Sequence, residues 1–212
     1  MYLVCEWVVG TWKTTQSKRL VSWLQETYPG QEVLWIREPW GTQIAEAIRT
    51  LVQWTQFDEP MQALTDVYLY AAARAQLLGA VVKPALARGA RVVSDRNVCS
   101  SLSYQWWTQG VGMETVRQIN APAVLEVLPT KIFFFDLPVS TGLQRTFDAT
   151  GDKRETKGTA FFDRAYEGYL KIPELTPLSE VFDRVDVSWT QEEVFAKLLQ
   201  FVTPLVSFHK KR

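Results

Sequence analysis

Residues 2–15 read YLVCEWVVGTWKTT. The apolar run from Tyr2 to Cys5 has the length and composition of a buried strand. A turn follows, then Lys13-Thr14-Thr15, then a helical pattern from Gln16 onward. Strand, turn, Lys-Thr and helix form the frame of a phosphate-binding loop, G-x-x-x-x-G-K-[ST]. On that frame Lys13 and Thr14 are in place, but Trp7 and Trp12 stand at both glycine positions. Such a loop wraps backbone N–H groups around phosphate oxygens, which requires positive φ angles and no Cβ in the way. The helix N-terminus behind it adds a dipole that favours an anion. Trp7, Val8, Val9, Gly10, Thr11, Trp12, Lys13, Thr14 and Thr15 are therefore the candidate phosphate-binding residues. The same Lys-Thr-Thr also reads as the start of an ordinary helix, so the rest of the chain has to decide.

Working outward, a first helix is expected from Thr14 to about Thr27, stopped by Pro29-Gly30. EVLWI, from Glu32 to Ile36, is the second strand, and strand–helix–strand at this spacing indicates a parallel βαβ unit. Arg37-Glu38-Pro39-Trp40-Gly41-Thr42 precedes an amphipathic helix from Gln43 to about Val52. A long helical region from Pro60 to about Leu86 carries Tyr70 and Arg74, which lie four apart on one face. Such a pair is ordinarily a stacked pair at a core edge and less often a ligand platform. Ala90–Ser94 is a third buried strand ending in Asp95-Arg96. A charged pair at the C-terminal end of a parallel strand points into the crevice where α/β proteins bind ligands. There a carboxylate commonly orders Mg²⁺, and an arginine can grip phosphate in a fork.

Further on, a polar helix start spans Cys99 to Gln105, and Trp106-Trp107 open a glycine-containing loop to Gly112. KIFFFDL, from Lys131 to Leu137, is the fourth strand, followed after Pro138 by a helix with Arg145. The polar stretch from Asp148 to Gly158, DATGDKRETKG, is either a solvated connector or a lid. Phe161–Leu170 reads as helix and Val181–Val187 as a fifth strand. Thr190 begins a last helix to Val202, with Glu193 three residues on as a capping box.

At 212 residues the chain suits a single domain, 1–212, large enough for a real core. A formal net charge of zero with no long charge run excludes an electrostatic nucleic-acid binder and a polybasic membrane anchor. The basic tail from His209 to Arg212 reads as a frayed end. Two cysteines, Cys5 and Cys99, fit a reducing cytoplasm better than a disulfide framework. The sole histidine lies in the tail, which removes histidine triads and histidine-rich metal sites. No signal peptide or membrane-length apolar run is present.

Six blocks, in order, carry a family resemblance over nearly the whole chain. They are Glu6 with Lys13-Thr14-Thr15; Arg37-Glu38-Pro39 with Gly41-Thr42; the helix from Tyr70 to Gln76; Asp95-Arg96; Ser100-Ser101 with Tyr104-Gln105; and Phe161-Phe162 after the lid. With them the chain resembles the thymidylate kinases, P-loop nucleoside monophosphate kinases. The resemblance implies an α/β fold with a five-stranded parallel sheet flanked by helices and a short lid at about 148–158. It implies transfer of the γ-phosphoryl of ATP to dTMP in dTTP synthesis, with Mg²⁺ beside ATP, in a cytoplasmic homodimer that uses neither nucleic acid nor membrane. By resemblance, Lys13 and the loop hold the ATP phosphates, and Thr14 and Asp95 order the metal. Arg37 and Arg96 match arginines near the acceptor phosphate. Tyr70 and Arg74 match residues at the thymine, and Ser101, Tyr104 and Gln105 line the base and sugar. Lys153 and Arg154 occupy the lid, where an arginine that closes over ATP is usual.

Three departures stand out. Val9 replaces a usual acidic residue, Lys153 stands where arginine is usual, and tryptophan recurs where glycine is expected, at Trp7, Trp12, Trp40, Trp54, Trp106, Trp107 and Trp189. Only Trp23 and Trp35 lie comfortably on a helix and a strand. Two accounts follow. In one, the tryptophans are genuine and the chain is a catalytically silent relative that binds or dimerises. In the other, a gene that reads UGA as glycine has been rendered in a code that reads it as tryptophan. The replaced positions are expected to share a backbone role that glycine fills.

Overall fold

The computed structural model describes residues 1–53, 58–147, 158–174 and 178–208. Five strands, β1 (Tyr2–Glu6), β2 (Val33–Arg37), β3 (Arg91–Asp95), β4 (Lys131–Asp136) and β5 (Phe182–Asp186), form one sheet of order β2-β3-β1-β4-β5. Every pairing is parallel, as the strand–helix–strand spacing requires. Strand β1 lies at the centre; its connection runs to the β2 edge, whereas the connection from β3 crosses it to β4. The crevice beyond the C-terminal ends of β1 and β3 is therefore the place where a ligand fits.

Side-chain alternation along each strand supplies two cores. Tyr2, Val4, Ile36, Val92, Ile132 and Phe134 face one layer, built on α3 (Ala63–Leu77), α4 (Lys83–Ala87), α5 (Val98–Ser101), α6 (Met113–Val124), α7 (Val139–Phe147) and α8 (Gly158–Lys171). Leu3, Cys5, Val33, Val93, Phe133 and Val185 face the other, covered by α1 (Lys13–Thr27) and α9 (Gln191–Phe208). Helix α2 (Gln43–Gln53) packs against α3. Both cysteines are buried and unpaired in disulfides. The capping box at the start of α9 forms as read: Thr190 N–H donates to Glu193 at 3.0 Å, and Glu193 N–H returns to the Thr190 hydroxyl at 3.3 Å.

Three expectations change. The long helical region continues from α3 through a π-helical turn, Leu78–Val82, into α4. Trp106 and Trp107 lie within a π-helical turn, Leu102–Thr108, and not in a loop; that turn packs closely on α8. Helix α6 had no counterpart in the sequence reading: it buries the polar Asn120 beside Val116 and carries Pro122 inside it, both of which blur a helical pattern. The presumed lid, with Lys153 and Arg154, lies outside the described residues except for Gly158, as does Trp54.

Candidate active site

Asp95, fully buried at the end of β3, is the node of the site. The Thr14 hydroxyl donates to its Oδ2 at 2.8 Å, Lys13 Nζ lies 3.4 Å from Oδ1, and Arg37 Nε lies 3.6 Å from Oδ2. Three elements thus converge on one carboxylate: α1 through its first turn, β2 through its last residue, and β3 itself. Oδ1 is buried without a hydrogen bond and has Lys13 as its ionic neighbour, so it keeps acceptor capacity beside the phosphate loop. A hydroxyl and a carboxylate oxygen at a helix N-terminus are hard donors suited to Mg²⁺, which takes few protein ligands and completes its shell with water and phosphate.

The loop is seated by two glycines. Gly10 has φ +65°, and a Cβ there would fall 1.9 Å from the Gly142 carbonyl oxygen. A Cβ on Gly142, in α7, would fall 2.3 Å from the Val9 carbonyl oxygen. The half-buried Val9 thus presses its backbone onto α7.

Beside Asp95, Arg96 adopts φ +79° and donates to Ser100 Oγ at 2.9 Å and Tyr169 Oη at 3.3 Å. Glu6 accepts from Asn97 N–H at 2.7 Å and from the Tyr169 hydroxyl at 2.7 Å, and lies 3.9 Å from Arg96. Burial raises the Glu6 carboxyl above its ordinary value, while Arg96, Tyr169, Asn97 and Ser100 act against the rise. In the sequence Glu6 stands only in the first family block, with no role attached to it. Tyr169 gave no signal in the sequence, since it sits on an apolar helix face.

Tryptophan rings occupy the faces of these cations. Lys13 Nζ lies 3.4 Å and the Arg96 guanidinium 4.3 Å from the centre of the Trp7 ring, which is 3% exposed. Arg37 and Arg49 lie 4.0 and 4.1 Å from the Trp40 ring, and Arg145 lies 3.9 Å from Trp12. Each contact of this kind stabilises by about 0.5–2 kcal/mol, depending on desolvation. Trp12 has φ +54°, and its side chain makes no cap hydrogen bond; the left-handed conformation costs an L-residue roughly 1–2 kcal/mol. Among the described residues only Trp12 and Arg96 are non-glycine residues at positive φ. The expected common backbone role of the tryptophans therefore fails at Trp7, Trp40, Trp106, Trp107 and Trp189. Trp106 and Trp107 pack edge to face, and Trp189 is 48% exposed with its N–H on Asp186.

The nucleoside-side candidates lie along α3, α5 and the 102–108 turn. Arg74 is buried, donating to Glu38 at 2.7 Å, to Asn120, and to the Asn97 carbonyl at 3.2 Å. Gln105 donates to Asp66 at 2.9 Å, and Ser101 is buried. Tyr104 donates to the Val8 carbonyl at 3.3 Å and stacks on Phe161 at 5.9 Å. Tyr70 is half-buried on α3. Thr15 is exposed on the first turn of α1, and the Thr11 hydroxyl is buried without a partner.

The family model described as thymidylate kinase matches residues 8–196. The chain belongs to the thymidylate kinase family. A relative from Exiguobacterium sibiricum named thymidylate kinase is 35% identical over 212 residues, covering 100% of this chain and 96% of the relative. Another so named, from Desulforudis audaxviator, is 38% identical over 180 residues, 84% of this chain and 79% of the relative. The crystal structure of thymidylate kinase from Ehrlichia chaffeensis superposes with a TM-score of 0.75 at 23% identity, covering 95% of this chain and 98% of that one. That likeness concerns the fold: a five-stranded parallel sheet flanked by helices, as in the P-loop kinases.

Proposed function

We infer that this thymidylate kinase family member transfers the γ-phosphoryl group of ATP to dTMP, giving dTDP for dTTP synthesis. The observation that carries the reading is the convergence of Lys13, Thr14 and Arg37 on buried Asp95 at a helix N-terminus. Phosphoryl transfer needs positioning and charge neutralisation more than covalent chemistry, and this cluster supplies both. Lys13 and the backbone of residues 7–15 hold the donor phosphates. Arg37 and Arg96 hold the acceptor phosphate in line. Tyr70, Arg74, Ser101, Tyr104 and Gln105 form the nucleoside side, and Lys153 and Arg154 close over the donor. Mg²⁺, held by Thr14 and by Asp95 directly or through water, neutralises charge on the phosphate oxygens when bound.

The protein acts in the cytoplasm. Among the described residues no helix is long and apolar enough to cross a membrane. It works as a homodimer through α2 and α3, which pack together and leave Ile44, Leu51, Leu64 and Tyr68 exposed.

ADP formation from Mg·ATP with dTMP tests the reading. It is measured on this chain and on a version with glycine at Trp7, Trp12, Trp40, Trp54, Trp106, Trp107 and Trp189. The glycine version is expected to be active. If both fold and neither turns over, the enzyme reading falls and a silent, binding relative replaces it.

A further inference from the structure

Position 12 is left-handed and opens α1, directly before the lysine of the phosphate loop. Each of the six glycines at positive φ among the described residues occupies this conformation without a side chain; at position 12 the largest side chain does so. Asparagine or aspartate could compensate with a local hydrogen bond, but the Trp12 indole makes no cap bond and is turned under Arg145. Position 7 differs in burial and in backbone. It is buried at the end of β1, outside the left-handed region, and its ring fills the space between Lys13 and Arg96. Those are two cations that an entering phosphate would need, and here an indole face takes its place.

No single packing or backbone demand selects tryptophan at both sites. The two positions share only their place in the phosphate-loop pattern and the same exchange, the smallest residue for the largest. UGA is the codon that connects the two residues: some genetic codes read it as glycine and others as tryptophan. Nine tryptophans against eleven glycines in 212 residues fit a transfer from one count to the other. We propose that positions 7 and 12 are UGA codons which the source gene's own code reads as glycine. The working loop then has no indole between Lys13 and Arg96 and no side chain at the left-handed position. This rests on the phosphate-binding reading of residues 7–15.

The coding DNA is the test, joined to peptide mass spectrometry of the protein isolated from its source cells. UGA at both positions, with peptides carrying glycine at 7 and 12, is expected. UGG at either position, or peptides carrying tryptophan, overturns the proposal. Neither readout involves catalysis. UGG codons in an active dTMP kinase would remove this proposal and leave the function, whereas UGA codons in an inactive glycine protein would do the reverse.

Discussion

Asp95 holds Lys13 within 3.4 Å and accepts from Thr14, so its charge and its shape can be separated by one substitution. Asp95→Asn keeps the outline but removes the anion that orders the lysine and suits the metal. Steady-state kinetics on the glycine-loop protein should show kcat lower by about 10²-fold or more, because charge neutralisation is the main catalytic resource here. Glu6 gives a pH signature. Its folded pKa lies above the ordinary 4.5, chiefly through burial. A group raised on folding contributes stability in full below its unfolded value, and that contribution is lost as pH rises through the folded value. The Tm of the wild type relative to Glu6→Gln should therefore fall as pH rises upward from about the ordinary carboxylate value. A difference that is flat with pH would mean Glu6 is held at its ordinary pKa.

Element by element, the strands and most helices were legible because their apolar periods are simple: YLVC, EVLWI, ARVVS and KIFFFDL are short largely apolar runs between turn signals. The capping box before α9 was legible for the same local reason. Helix α6 was not, since Pro122 stands inside it and reads as a helix stop, and neither was the helical setting of Trp106-Trp107, which depends on packing against α8. At the site, Lys13, Thr14 and Asp95 could be read from a local pattern. Tyr169 could not, since its link to Glu6 spans 163 positions. The Gly10–Gly142 contact was equally hidden, and it supports a prediction. An alanine in mid-helix ordinarily gains about 1 kcal/mol over glycine. At Gly142 its Cβ would meet the Val9 carbonyl at 2.3 Å. Gly142→Ala should instead lose about 1–3 kcal/mol in denaturant unfolding, through overpacking against backbone, and should weaken binding of a non-hydrolysable ATP analogue.

For the molecule as a whole, the exposed apolar side chains on α2 and α3 predict assembly. Sedimentation should give a dimer for the native chain, and Tyr68→Glu with Leu64→Glu should shift it to monomer while circular dichroism stays unchanged. A native chain that sediments as a monomer at micromolar concentration would assign that face to something else.

The glycine-on-glycine contact also has a mechanical consequence. The backbone of residues 9 and 10 lies directly against Gly142, so α7 backs the phosphate loop. The far end of α7 is Phe147, and the polar segment 148–157 begins at the next residue. The loop meets α7 nearer its other end, at Gly142. The helix is a backstop: it limits how far residues 9 and 10 can retreat when the loop closes on a phosphate.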